Sequence, residues 1–205
     1  MDASQRWPRS VGGHVALDFV NTDVLSQDDQ ASDVLRSAEE FLAWCGYAGV
    51  GSTPRSTALT GAQESALLAE AASLRSALRS VVEALAGDGR VDGQALETIR
   101  SQYAGAVGWA DPVLDHGRLR WSWDATDPRA VLGQIAVAAI DLLRTGPTER
   151  LKLCPSCGFV FLDTTKNGSR RWCSMEDCGK QAKMRRYVAK RAQSRSGEPG
   201  EGTRG

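Results

Sequence analysis

A chain of 205 residues that is 41% hydrophobic and 24% charged has room for one ordinary globular domain plus an appendage, and this composition excludes wholesale disorder. The longest apolar stretch, Ile135 to Leu143, is broken by Asp141 and is far too short for a membrane-spanning helix. The formal net charge of zero hides a split: residues 1–143 carry a net charge of −8 and residues 144–195 a net charge of +9, so one part repels polyanions and the other attracts them.

Along the chain, the first nine residues have no apolar run of the signal-peptide kind, so the protein is expected to stay in the cytoplasm, where disulfides are reduced. His14 to Thr22 reads as a short mixed strand or turn with Leu17, Phe19 and Val20 available for burial. From Asp33 to Trp44 the apolar residues Val34, Leu35, Ala38, Phe41 and Leu42 recur at helical spacing, with Gly46 as the stop and a Gly/Ser/Pro loop from Gly49 to Ser56. Thr60 and Gln63 form a capping box that opens a helix of about 25 residues through Leu67, Leu74, Leu78 and Val82 to Gly87. Asp92 caps another helix carrying Leu96, Ile99 and Tyr103.

Val113 to Trp123 reads as a β-hairpin turning at His116-Gly117, with Leu119, Trp121 and Trp123 on one face. Asp127 as N-cap and Pro128 at the first helical position open a helix with an apolar face of Val131, Ile135, Ala139 and Leu142, ended by Gly146-Pro147. The predicted fold is therefore a mainly α domain with a small β-hairpin over residues 1–147, expected to fold by itself. A small treble-clef-like zinc finger over 148–192 follows, then a disordered tail over 193–205.

Four of the five cysteines fall in the finger as Cys154-x2-Cys157, fifteen residues, then Cys173-x4-Cys178. A tight knuckle aims the first two sulfurs at one ion and the long gap lets the chain return, which is the spacing of a four-cysteine zinc site. The gap itself suggests a hairpin: Gly158 to Leu162 alternates as a strand, Asn167-Gly168 suits a type I′ turn, and Arg170-Arg171-Trp172 leads back. Ser174 with Asp177 makes a second capping box that puts Cys178 in the first turn of a helix. Four thiolates fill the tetrahedron, so one structural Zn²⁺ is expected, doing no chemistry of its own. Cys45 reads as a small buried hydrophobe with no functional role.

On a helical projection from Met175, Lys180, Lys183, Arg186, Lys190 and Arg191 share about 140° of arc with Tyr187. Together with Arg170 and Arg171 ahead of Cys173, these are the candidate nucleic-acid contacts, because Lys and Arg on phosphates release condensed counterions. The remaining side of the helix, with Cys178, Ala182 and Ala189, is expected to lie on the finger, with Arg185 reaching out to solvent.

Arg150-Leu151-Lys152, Cys154-Pro155-Ser156-Cys157, Phe161-Leu162-Asp163, Ser169 to Met175 and Cys178-Gly179 through Lys183 resemble the bacterial CGNR zinc-finger family. His14 to Thr22, with Leu17-Asp18-Phe19-Val20-Asn21-Thr22, resembles the start of the ABATE domain that accompanies that finger. The resemblance implies a largely helical N-terminal domain joined to a zinc finger, in proteins described as stress-induced transcription regulators. One departure stands out: Lys180-Gln181 follow Cys178-Gly179 where the family has Asn-Arg.

The function expected is a DNA-binding transcription regulator whose acidic domain senses a small molecule or binds a partner. The alternative is a zinc-stabilised protein-interaction module that docks on transcription machinery without touching DNA. No catalytic residue is identified and an enzyme is not expected: there are only two histidines, no phosphate-binding Gly-rich loop and no hydrolase motif. His14, Asp18 and Asn21, with Trp121 and Trp123 of the hairpin, are the residues singled out for a ligand pocket.

Overall fold

The leucine repeat forms α3, Gly61–Ala86, opened by the Thr60–Gln63 capping box and closed at Gly87. Its inward line of Leu67, Ala71, Leu74, Leu78, Val81 and Val82 recurs every three or four residues and makes the spine of the core. The computed structural model describes residues 7, 10–23, 33–51, 59–87 and 89–196. Against α3 lie α4, Gly93–Val107, capped by Asp92, and α5, Arg129–Thr145, and these two pack on each other. α5 starts one residue later than its sequence signals suggest, yet the Asp127 carboxylate still accepts from the Arg129 N–H at 2.8 Å.

His14 to Thr22 is helical instead of a strand or turn: α1 spans Val15–Val20 and continues into a 3₁₀ turn over Asn21–Asp23. His14 Nδ1 caps it by accepting from the Ala16 N–H. The segment packs on α3, α5 and the zinc finger at once, so Ala16, Leu17, Phe19 and Val20 are all buried. A helix enclosed on several sides has no polar stripe, and the period that would identify it disappears. The Asp33–Trp44 helix divides into a 3₁₀ turn, Val34–Arg36, capped by Asp33, and α2, Ala38–Tyr47, capped by Ser37. α2 runs through Gly46, and the chain turns at Gly49, whose φ of +72° favours glycine. Most of the Gly49–Ser56 loop lies outside the described residues.

β1, Asp111–Asp115, pairs antiparallel with β2, Arg118–Ser122, around left-handed His116 and Gly117. The hairpin stands away from the core: Leu119 is 59% and Leu114 80% exposed. Trp121 and Trp123 are half-buried, and Trp123 Nε1 donates to the Ala106 carbonyl at 3.0 Å. The face read as apolar from Leu119, Trp121 and Trp123 is thus buried only towards its Trp123 end.

In the finger, β3, Leu151–Leu153, pairs antiparallel with β4, Val160–Leu162. The expected pairing of Gly158–Leu162 with 170–172 does not form. Gly168 has φ of +61° but Asn167 is not left-handed, and a type I′ turn needs both. β4 has two buried faces. Val160 and Leu162, with Leu151 of β3, join the main core, while Phe161 turns to the other side among Phe159 and the cysteines.

Three further bonds lock this junction. The Asn21 side-chain amide donates to the Val160 carbonyl and accepts from the Val160 N–H, both at 2.9 Å, and the Leu162 N–H donates to Gly12 O at 2.9 Å. The helical part and the finger therefore share one core, and packing continues past Thr145. The last helix, α6, spans Lys180–Ser196, so the chain is still helical at 193–196, where a tail was expected; residues 197–205 of that tail lie outside the described residues.

Candidate metal centre and nucleic-acid interface

The strand pair β3–β4 encloses the first two cysteines in a knuckle closed by Cys154 N–H to Phe159 O at 2.8 Å and Gly158 N–H to Cys154 O at 2.9 Å. The second pair comes from the far side. Ser174 Oγ accepts from the Asp177 N–H, and Met175–Gly179 forms a π-helical turn in which the Gly179 N–H reaches the Ser174 carbonyl at 2.9 Å. This wide turn carries Cys178 into the cluster before α6 begins.

The four sulfurs of Cys154, Cys157, Cys173 and Cys178 lie within 4.8 Å of one another, with Cys157 to Cys173 at 3.5 Å and Cys173 to Cys178 at 3.6 Å. A tetrahedron with Zn–S bonds near 2.3 Å has edges of about 3.8 Å, so the donor set fits zinc in number, chemistry and size. Without a cation the thiols compete for protons. Hydrogen bonds from Cys157 and Cys173 hold the Cys154 thiol far below its usual range, while its bond to Cys154, above all, pushes Cys157 up to about 12. Bound Zn²⁺ supplies the positive charge that lets four clustered thiolates coexist. Cys45 stands apart, fully buried, its thiol pushed up by desolvation.

Beneath the cluster, a network that the spacing of cysteines does not reveal orders the loop between the ligand pairs. Asp163 is 0% exposed. Its Oδ2 accepts from Lys152 Nζ at 2.6 Å and from the Arg170 N–H at 2.8 Å, and its Oδ1 accepts from the Thr165 N–H and hydroxyl. Burial works to raise this carboxyl, but the Lys152 ammonium and the Thr165 and Arg170 donors outweigh it and hold the group well below the usual carboxylate range. A sequence signal existed: Asp163 follows the alternating Phe161-Leu162, and a carboxylate ending a buried strand needs partners. Arg75 carries a similar signal, being charged on the apolar line Ala71, Leu78, Val82 of α3. It is 6% exposed and clamps Asp33 through two bonds of 2.6 and 2.9 Å.

The basic residues separate into two groups. Arg170 turns inward: its guanidinium bonds the carbonyls of Trp172 and Cys173 and stacks 4.7 Å from the Phe161 ring, so its reading as a nucleic-acid contact is replaced by a role in holding the finger together. Arg171 is exposed, with its guanidinium 5.3 Å from the Trp172 ring. Lys180, Lys183, Arg186, Lys190 and Arg191 are exposed on α6, where every side chain from 180 to 192 is exposed except half-buried Ala182. Two expectations about the inner side change. Ala189 is exposed, and Arg185, instead of reaching solvent alone, donates to Ser156 Oγ at 2.6 Å, tying α6 to the cysteine knuckle. Gln181 is exposed on the first turn of α6.

The five residues singled out for a ligand pocket do not come together around one. His14 caps α1, Asp18 Oδ1 accepts from the Gly12 N–H at 2.8 Å, and Asn21 is spent on Val160. Trp123 instead packs with Trp109, ring centroids 6.2 Å apart. Neither the cavity between α3, α4 and α5 nor the cleft beside Arg170 and Arg171 is lined by any of the five.

Residues 13–146 match the ABATE family, described as "Putative stress-induced transcription regulator". The chain belongs to the ABATE family. Residues 150–191 match the CGNR zinc finger, and no curated protein matches the chain. In this ABATE protein the cysteine cluster is accordingly a structural zinc site, and the zinc knuckle, the π turn and the root of α6 form one unit. No described helix is long and apolar enough to cross a membrane.

Proposed function

We propose that this protein is a DNA-binding, non-enzymatic transcription regulator in which the zinc site fixes the root of α6 and the helix lies along a phosphate backbone, while the helical domain senses a small molecule or binds a partner. The observation that carries this reading is the exposure of α6. Six cations and no acid lie between Lys180 and Arg191, and beyond its first turn the helix buries almost nothing. A single helix of this length is marginal in water without a packed face, and like charges one turn apart weaken it further. A polyanion resolves both problems, since phosphates neutralise the cations and release counterions. The saturated set of four cysteines, the capping role of His14 and the exposure of His116 at the hairpin tip support a role without catalysis.

A second reading draws on Met184, Tyr187 and Val188. These are 63%, 60% and 58% exposed at positions i, i+3 and i+4, a stripe that suits a protein partner. Salt separates the two. Duplex DNA binding is measured across a series of salt concentrations for the wild type and for Lys183→Ala/Arg186→Ala/Lys190→Ala. Under the proposed function the triple variant binds all sequences more weakly, its log–log salt slope is flatter by up to about 3, and its zinc content is unchanged. Equal DNA binding by variant and wild type, or no wild-type binding at low salt, rejects α6 as the DNA site and favours the protein-interaction reading.

A further inference from the structure

Between α3, α4 and α5 lies an open cavity of roughly 420 Å³ whose walls include Glu70, Gln102, Gly105, Trp109, Arg129 and Gly133. Its size falls in the range of small-molecule sites. Aromatic carbon forms the end wall: Trp109 is 39% exposed and is braced edge-on by Trp123, whose indole is fixed by Ala106 O and by close contact with Gly133. A Cβ at Gly133 would sit 3.0 Å from the Trp123 ring, tighter than ordinary contact, so packing against the indole favours glycine there.

Gly105 is under no such constraint. It lies inside α4, has no neighbour within 4 Å of where a Cβ would stand, and lines the cavity. Glycine inside a helix costs about 0.5–1 kcal/mol relative to alanine, and here no contact compensates it. What glycine does provide is open space against the cavity.

The charges determine what fits. Arg129 lies 5.0 Å over the Trp109 ring, and its guanidinium is held by Asp127 through contacts of 2.6 to 3.1 Å. That ion pair is neutral as a unit. Glu70 on the α3 wall makes no salt bridge among the described residues but attracts the same guanidinium at longer range, so two carboxylates face one cation and the site carries a net negative charge. A ring face that already holds a planar cation, in a site with more carboxylates than cations, recognises cations of the same kind.

We infer that this cavity binds a small organic cation with a planar body, with its charge beside Glu70 and its plane against Trp109, where it competes with Arg129. This deepens the sensing half of the proposed function and rests on that reading for its biological consequence. Binding itself is measured without DNA, so failure of either idea leaves the other standing.

The test uses three probes of one shape and different charge, benzamidine, benzamide and benzoate, titrated into the zinc-loaded full chain while the Trp109 and Trp123 indole N–H resonances are followed. Concentrations extend to about 10 mM because fragments this small reach only millimolar affinity. Benzamidine is expected to bind at least fivefold more tightly than benzoate, with benzamide between them. Glu70→Gln lowers benzamidine affinity by roughly fivefold and removes the preference over benzamide. Gly105→Leu, whose Cβ meets nothing within 4 Å, fills part of the cavity and lowers it at least tenfold, and an unchanged melting curve shows that the fold survives.

Arg129→Ala gives the most discriminating outcome. It clears the ring face and leaves Asp127 unpaired, so benzamidine binds several-fold more tightly, whereas an anion site would lose affinity for benzoate. The inference is overturned by tighter binding of benzoate than of benzamidine, by weaker benzamidine binding in Arg129→Ala, or by titrations that leave both indoles unmoved.

Discussion

Asn21 offers the sharpest test of how the two halves of the chain are held together. It is 1% exposed, and Val160, with which it exchanges two hydrogen bonds of 2.9 Å, is fully buried. Asn21→Ala removes both bonds and strands the N–H and C=O of Val160 in an apolar core that water does not reach. Each stranded group costs about 1–3 kcal/mol, so the variant is expected to lose roughly 4 kcal/mol. For a chain of this size that is a fall in Tm of about 8–16 °C.

Asn21→Asp retains the size but presents a carboxylate to the Val160 carbonyl. It should be at least as damaging at neutral pH and partly rescued in mild acid, where a protonated carboxyl can donate again. Because the clamp joins α1 to β4, the damage should reach the metal site. Zinc release to a chromophoric chelator should be faster in Asn21→Ala although no ligand has changed, and helix melting and zinc loss should coincide. A loss below about 1 kcal/mol, or a destabilised helical part with unchanged zinc release, would refute the shared-core argument.

Other outcomes follow from the same structure. Metal analysis should find one zinc per chain, lost or strongly weakened when Cys154, Cys157, Cys173 or Cys178 is changed to Ser and retained in Cys45→Ser. A chain ending at Thr145 lacks Leu151, Val160 and Leu162 of the main core and leaves Asn21 without a partner, so its thermal unfolding should be broad; a sharp, cooperative melt would show that those residues are dispensable. Burial raises the Asp18 carboxyl to about 6 from 3.8, against the Gly12, Ser10 and Val11 hydrogen bonds that lower it. A raised folded pKa means that the contribution of Asp18 to stability is fully present below pH 3.8 and is lost as the pH rises through about 6. Asp18→Asn, which keeps an acceptor for the Gly12 N–H, should therefore stabilise the protein at pH 7–8 by up to about 3 kcal/mol and change little at pH 3.5. His14, lowered chiefly by desolvation, has the opposite slope, losing stability as the pH falls through 6.5, so the variant-minus-wild-type difference is the quantity to compare. A difference that does not vary with pH would sink the assignment.

Local chemistry was legible in the residues themselves. The Thr60–Gln63 box, the Asp92 and Ser174 caps and the His116-Gly117 turn each depend on a side chain and the backbone within a few positions, so spacing was enough to place them. The zinc ligands were legible for a related reason, since four thiols and one ion leave few other uses for that spacing. Contacts distant in sequence were not. α1 had no polar stripe because α3, α5 and the finger all cover it; Asn21 looked like a ligand-pocket residue until its partner, 139 positions away, came beside it. Arg170 and Arg171 are adjacent and chemically identical, but one stacks under Phe161 inside the finger and the other remains exposed. Side-chain type and spacing therefore determined the caps, the metal and the basic character of the last helix. Which polar groups were consumed by the core and which remained for a partner was decided only when tertiary packing set burial, because a buried polar group must be paired and an exposed one need not be.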